Sequence, residues 1–242
     1  MKISIVIPAF NEEKLLTATL NAIKTASEAF HDHGWLTEII VADNHSTDHT
    51  AEMAKNLGAT VVHEPINSIA RARNCGAGAA TGDWLIFVDA DSLPSRELFA
   101  AVVRAIQSGR VLGGGALVRF DHAVHVFGLL ASYFWNAISR LFQRAAGSFI
   151  FCQAAAFRQM GGFDPNLFAA EEIRFSRRLI NLARQQGKQF RIITRVSILT
   201  SSRKLRLYSS WELFTRIARM ALFLPFALHS REACSFWYDG RR

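Results

Sequence analysis

The sequence predicts an α/β domain built on a mixed, mostly parallel central sheet flanked by helices. Two observations carry that expectation. Over residues 2–88, short apolar runs alternate with stretches whose apolar residues recur at helical spacing, and strands that alternate with helices pair in parallel. The run at 84–88, Trp-Leu-Ile-Phe-Val, contains no polar residue, as a strand covered on both faces requires.

Residues 2–7 form the first strand, which ends at Pro8. Asn11 predicts a helix N-cap with Glu12 and Glu13 in the first turn, where the dipole favours acids, and Leu15, Leu16, Leu20 and Ile23 give that helix its apolar face. Residues 38–42 are the second strand. Ser46 or Thr47 caps a helix running to Leu57, with Gly58 just past its end. Residues 60–63 make a third strand, 67–80 a helix of small residues stopped by Thr81-Gly82, and 84–88 the fourth strand. Further on, 111–120 is a strand carrying Gly113-Gly114-Gly115, 148–153 is another, and 161–165 is a loop. A helix runs from Glu171 to Gln186 and is closed by Gly187. Residues 190–194 and 196–199 are strand-like, and those after Tyr208 are helical.

A chain of 242 residues, 50% apolar and 20% charged, folds as one domain with a sizeable core and is not disordered. Its charge is divided unevenly. Residues 1–173 hold 13 Lys/Arg and 17 Asp/Glu, a net −4; residues 174–242 hold 15 Lys/Arg and three acids, a net +12. Such a basic segment suits phosphates, nucleic acid or an anionic membrane surface, or is simply a solvated face. Cys75, Cys152 and Cys234 are too scattered for a metal site or a disulfide framework, which fits buried thiols in a reducing, cytoplasmic setting. The first eight residues are too short an apolar run for a signal peptide. Residues 124–142 and 211–228 are apolar but interrupted by charges, so each is expected as an amphipathic helix on the core or at a membrane interface.

In parallel sheets ligands sit beyond the carboxyl ends of the strands. The segments there are 8–12, 43–48 and 89–91, and each carries carboxylates. In extended geometry Asp89 and Asp91 point the same way and could share one ligand. Hard carboxylate oxygens at an open site suit Mg²⁺ or Mn²⁺ completed by phosphate oxygens.

Several segments taken in order resemble glycosyltransferase family 2. They are Ile3-Ser4-Ile5-Val6-Ile7-Pro8-Ala9-Phe10-Asn11-Glu12-Glu13, Ile39-Ile40-Val41-Ala42-Asp43-Asn44-His45-Ser46-Thr47-Asp48, Ala72-Arg73-Asn74-Cys75-Gly76, the metal-strand segment from Gly82 to Asp91, Gly161-Gly162-Phe163-Asp164 with Glu171-Glu172, and Thr200-Ser201-Ser202-Arg203-Lys204. The resemblance implies a GT-A fold, a nucleoside-diphosphate-sugar donor that is UDP- or GDP-linked, a divalent metal, and inversion at the anomeric carbon. It divides the chain into a glycosyltransferase domain at 1–204, with a nucleotide-sugar half at 1–91 and an acceptor half at 92–204, and a basic, aromatic helical extension at 205–242.

Roles follow from the same resemblance. Pro8, Ala9, Phe10 and Asn11 line the base and ribose, and Glu12 approaches the nucleoside. Asp43 accepts a hydrogen bond from the base; Arg73 meets the nucleotide or its phosphates. Asp89 lies near the ribose, Ala90 between the two acids, and Asp91 binds the metal, with Asp89 beside it. Arg203 and Lys204 either close over the diphosphate or form a plain basic surface. Glu172, or else Glu171, is the general base; the family usually places Asp at the second position, one methylene shorter. His229 is the only histidine after that helix, so a histidine metal ligand there is not expected.

Two other classes remain in view. The basic, aromatic C-terminal stretch could bind nucleic acid, but the acidic strand ends would repel its backbone. The same stretch could lie on an anionic cytoplasmic leaflet and bring the enzyme to a polyprenyl-phosphate acceptor. The apolar segments near Trp135 and Phe223 could form a homodimer contact. No Gly-x-Gly-x-x-Gly follows the first strand, which disfavours a dinucleotide-binding dehydrogenase.

Overall fold

The computed structural model describes residues 1–121, 145 and 147–203. Within them the chain runs β1 (Lys2–Ala9), α1 (Leu16–His31), β2 (Leu36–Asp43), α2 (Thr50–Asn56), β3 (Thr60–His63), α3 (Ile69–Gly78), β4 (Trp84–Val88), β5 (Ser92–Leu93), α4 (Arg96–Gln107), β6 (Val111–Phe120), β7 (Phe149–Gln153), α5 (Ala154–Met160), α6 (Glu171–Gln185) and β8 (Gln189–Thr200).

One 8-stranded sheet has the order β3-β2-β1-β4-β7-β6-β8-β5. The first four of these pair in parallel. β7 then runs antiparallel to both β4 and β6, β8 lies parallel to β6, and short β5 closes the edge antiparallel to β8. The sheet is therefore mixed and mostly parallel, as the sequence predicts. Because β7 reverses direction twice over, β1, β2, β3, β4 and β8 all end at one rim, while β7 begins there.

Side chains alternate between the two faces of the sheet. Ile3, Ile5, Ile7 and Ile86 pack with Leu20 and Phe30 of α1 and Phe99 and Val102 of α4. Val6, Leu85, Phe87 and Ile150 pack with Phe157, Phe163 and Phe175 on the other face. The Phe163 and Phe175 rings stack at 4.3 Å. Gly76 of α3 faces β1 so closely that a Cβ would lie 2.5 Å from Val6 Cγ1, which lets the helix carry its functional residues close to the sheet.

The predicted strands at 60–63, 84–88 and 111–120 have those bounds in the structure. Helix starts differ. Asn11 is no N-cap: it adopts φ 51° and α1 begins at Leu16. Ser46 and Thr47 do not cap α2, which begins at Thr50; Asn11, Ser46 and Thr47 bond to one another across the rim instead. The two strand-like runs near the end are one strand, β8, interrupted by a register shift opposite Ala116 and Leu117. α4 was not foreseen, although Ser95 accepts from the Leu98 amide as an N-cap and Leu98, Phe99, Val102, Val103 and Ile106 repeat at helical spacing.

Among the described residues no helix is long and apolar enough to cross a membrane. Cys75 and Cys152 are free thiols, and burial pushes the Cys152 pKa upward. Cys234, the amphipathic stretches at 124–142 and 211–228, Lys204 and the extension at 205–242 lie outside the described residues.

Candidate active site

The rim collects the predicted site segments because of strand direction. β1 exits into 8–12, β2 into 43–48 and β4 into 89–91, and β8 delivers 200–203 to the same edge. α6 leads down into β8, so its N-terminal Glu171 and Glu172 also stand at the rim.

The first two exits are laced together by backbone donors. Asn11 N donates to Ser46 Oγ at 3.0 Å, Glu12 N to Thr50 Oγ1 at 2.8 Å, and Glu13 N to Asp48 Oδ2 at 3.2 Å. In return Thr47 N donates to Asn11 Oδ1 at 2.8 Å, and Asn44 N to the Ala9 carbonyl at 2.8 Å. Asp48 also accepts from the Thr50 amide at 3.0 Å, so it organises this loop pair. Pro8 and Phe10 are half-buried beside fully covered Ala9. Asp43 is buried, with Ser46 N donating to Oδ1 and His63 Nδ1 lying 3.0 Å from Oδ2. Glu12 is also buried and accepts from Arg203 Nη2 at 2.8 Å.

The triplet 89–91 is not extended. Ser92 N donates to the Asp89 carbonyl at 3.0 Å, closing a turn, and Thr19 Oγ1 donates to the Ala90 carbonyl at 2.8 Å. The two carboxylates consequently have different neighbours. Asp89 Oδ1 accepts from Arg73 Nη2 at 3.0 Å. Asp91 Oδ1 has the Ser92 and Thr200 hydroxyls at 3.4 Å, and its carbonyl accepts from Ser201 N at 3.0 Å.

Arg73 joins the two halves of the site. Its guanidinium donates from Nη1 to Glu171 Oε1 at 2.6 Å, and from Nη2 to Asp89 and to the Gly147 carbonyl at 2.9 Å. It lies 5.3 Å from the centroid of the Phe163 ring, within reach of a cation–π contact. Only 2% of the side chain is exposed. Burial works against its charge, but Asp89, Glu171 and Glu172 outweigh that and raise its pKa above the ordinary value. Arg73 is thus buried among its partners at the rim. A Cβ at Gly147 would stand 3.0 Å from Arg73 Nη2, so a larger residue there would press on the guanidinium.

The adjacent glutamates have different environments. Glu171 is buried in its ion pair with Arg73. Glu172 has no ion-pair partner among the described residues. Desolvation, and then the negative charge of Glu171, push its pKa up to about 8 despite the pull of Arg73.

Two further observations mark this rim. The non-glycine residues with left-handed backbone, among those described, are Asn11, His45 and Ala170, and each borders it. Such conformations cost energy and persist where function demands the geometry. Among the described residues, the buried side-chain polar atoms without a partner are Ser68 Oγ, Arg73 Nε, Ser148 Oγ and Arg203 Nε. Each belongs to a residue bonded to the rim: Ser68 N to Asn44 Oδ1, Arg73 to Asp89, the Ser148 carbonyl to Asp89 N, and Arg203 to Glu12.

The oxygens at the β4 exit suit a hard divalent cation. Asp91 is half-buried and ringed by hydroxyls, and Mg²⁺ or Mn²⁺ takes one or two protein carboxylates when substrate phosphates supply the rest. No group of three or more His, Cys, Asp or Glu that could hold a metal without a substrate occurs among the described residues.

Sequence reasoning missed His63, Gly147, Ser148 and Ser68. His63 stands opposite Asp43 at the end of β3, and the carboxyl-end rule would have found it. Gly147 and Ser148 had no such signal, because their place depends on β7 running against β4.

The sequence matches the family model of glycosyl transferase family 2 over residues 4–161. It is 34% identical over 97 residues to an uncharacterized glycosyltransferase of Rickettsia typhi, a stretch that is 40% of this chain and 30% of that protein. The chain therefore matches less than a third of that relative's length. Its structure is similar to that of the mannosyltransferase PcManGT from Pyrobaculum calidifontis in complex with GDP-Man and Mn²⁺, with TM-score 0.66 and 20% identity over 94% of this chain and 62% of that one. It is also similar to S. aureus TarS in complex with UDP-GlcNAc, with TM-score 0.63 and 20% identity over 84% of this chain and 59% of that one.

Proposed function

The chain belongs to glycosyl transferase family 2, and from that premise we propose that it moves a sugar from a UDP- or GDP-linked donor to an acceptor hydroxyl or phosphate. The observation that carries this reading is the Arg73 bridge, which ties the β4 exit to the start of α6 through one buried guanidinium. A donor-side acid and an acid pair suited to proton transfer thereby share one rim.

In this reading Pro8, Ala9, Phe10 and Asn11 line the nucleoside, and Asp43 accepts the N–H of the base. Asp89 meets the ribose with the carboxylate oxygen that Arg73 leaves free. Asp91 holds Mg²⁺ or Mn²⁺, with Asp89 beside it. A bound cation would supply Lewis-acid stabilisation of the departing diphosphate. Arg203 moves from Glu12 to the phosphates, a geometry that a guanidinium fork matches well. Glu172 is the general base: it takes the acceptor's hydroxyl proton as the oxygen attacks the anomeric carbon, giving inversion. A raised pKa makes its carboxylate a stronger base than an ordinary one once ionised. Glu171, held by Arg73, keeps the helix start in place.

The outer face of α6 supports a phosphate-bearing acceptor at an anionic membrane surface as a second reading. Arg174, Arg177 and Arg184 are exposed along it, and such a face is attracted to anionic lipid. The test for the main reading is a thermal-shift panel of nucleoside-diphosphate sugars with and without Mn²⁺, followed by product analysis of the best binder. We expect a UDP- or GDP-linked donor to raise the melting temperature by several degrees only with metal present. No shift with any donor would overturn the reading.

A further inference from the structure

The mechanism uses Asp43 but not the side chain bonded to it. β2 and β3 pair in register, so Asp43 and His63 are direct neighbours on adjacent strands and project to the same face. His63 Nδ1 lies 3.0 Å from Asp43 Oδ2, while Ser46 N holds Oδ1 at 3.3 Å. The Asp43 side chain is 8% exposed and His63 is 58% exposed. The imidazole therefore forms the solvent-side wall of a carboxylate that is otherwise covered. His45, left-handed at φ 64°, places a second imidazole 6.2 Å from the His63 ring.

We infer that His63 is a base-positioning residue that locks the Asp43 carboxylate so that it selects bases presenting a ring N–H. The inference rests on the proposed donor reading, in which Asp43 meets the base. A carboxylate pinned on both oxygens has lost its rotational freedom before the ligand arrives, so binding need not freeze it. Each oxygen keeps a lone pair for an incoming donor. Uracil and guanine offer a ring N–H at the matching position, whereas cytosine presents a bare ring nitrogen, an acceptor facing a carboxylate. The discrimination against cytosine depends on the carboxylate staying fixed and negative at the pocket wall. Without His63 it is free to turn toward water, and the site loses both the attraction and the rejection.

The experiment is calorimetric titration of the full chain with UDP, GDP and CDP in Mn²⁺, for the wild type, His63→Ala and His63→Asn. Asparagine can place its amide nitrogen where Nδ1 stands and so restores the bond to Asp43. The wild type is expected to prefer UDP or GDP over CDP by about tenfold or more, the scale of one hydrogen bond to a charged group. His63→Ala should shrink that preference to within about threefold, and His63→Asn should recover most of it. A merely structural loss would weaken all three nucleotides alike and leave their ratio unchanged, which overturns the inference. An unchanged His63→Ala profile overturns it too. If the wild type binds none of the three, the donor reading itself fails and takes the inference with it; if it binds them equally, only the inference fails.

Discussion

Glu172→Gln is expected to lower sugar transfer by roughly 10²–10⁴-fold, the range for loss of a positioned general base, while making the folded protein more stable. The two effects share a cause. Burial and Glu171 raise the Glu172 pKa from 4.5 to about 8, so the folded state holds this proton more tightly than the unfolded chain. The sign follows from linkage: the stabilisation is complete below the unfolded pKa near 4.5, declines as pH rises, and is gone above about 8. Glutamine is never charged and escapes that loss. After allowance for relaxation around a half-buried group, the gain near pH 8 is roughly 1–2 kcal/mol. Melting curves from pH 5 to 9 check this, with the gap between variant and wild type widening as pH rises. For turnover the sign is opposite, since a base must be ionised: wild-type kcat should fall as pH drops below about 8. Glu171→Gln provides the contrast. It removes a partner of buried Arg73 and should destabilise the fold.

Arg73→Met should be the most damaging single change to the fold of the site. It leaves Glu171, 5% exposed, and Asp89, 34% exposed, without their shared cation. Breaking a buried pair by removing one partner costs about 3–5 kcal/mol, because the remaining charge stays desolvated. For a domain of this size each kcal/mol shifts the melting temperature by roughly 2–4 °C, so a fall of about 10 °C is expected by differential scanning calorimetry. Arg73→Lys should recover little of it, as a single ammonium cannot form the fork that reaches Glu171, Asp89 and the Gly147 carbonyl together. The double variant Arg73→Met/Glu171→Gln should be more stable than the sum of the two single losses predicts, by about 1–3 kcal/mol, the coupling of residues in one network.

Much of the fold was readable because local signals and tertiary structure agreed. The apolar run at 84–88 is the central strand of the sheet, and Gly187 closes α6 with φ 65°. α4 is equally legible in the sequence, with Ser95 as cap and a regular apolar face. The failures at Asn11, Ser46 and Thr47 have another origin. Their side chains are good helix caps, but each forms its bonds across the rim, to a loop some 35 residues away in sequence. Long-range partners of that kind leave no trace in a local window. For the same reason Arg73 was placed at the site by its neighbours in sequence, while its burial between Asp89 and Glu171 could come only from the packed structure. The difference between Glu171 and Glu172 is likewise tertiary: two identical residues at a helix start are separated in role by which one meets the guanidinium.

The turn at 89–91 concentrates the account. It pairs Asp89 with Arg73 and sets Asp91 beside the Ser92 and Thr200 hydroxyls at 3.4 Å, and the proposed reading makes Asp91 the cation ligand. The direct measurement is calorimetric titration of a nucleoside diphosphate with and without Mn²⁺, for the wild type and for Asp91→Asn. Metal should tighten binding by about tenfold or more in the wild type and leave Asp91→Asn little changed, the scale of one lost charged ligand. Equal tightening by metal in both proteins would contradict the assignment.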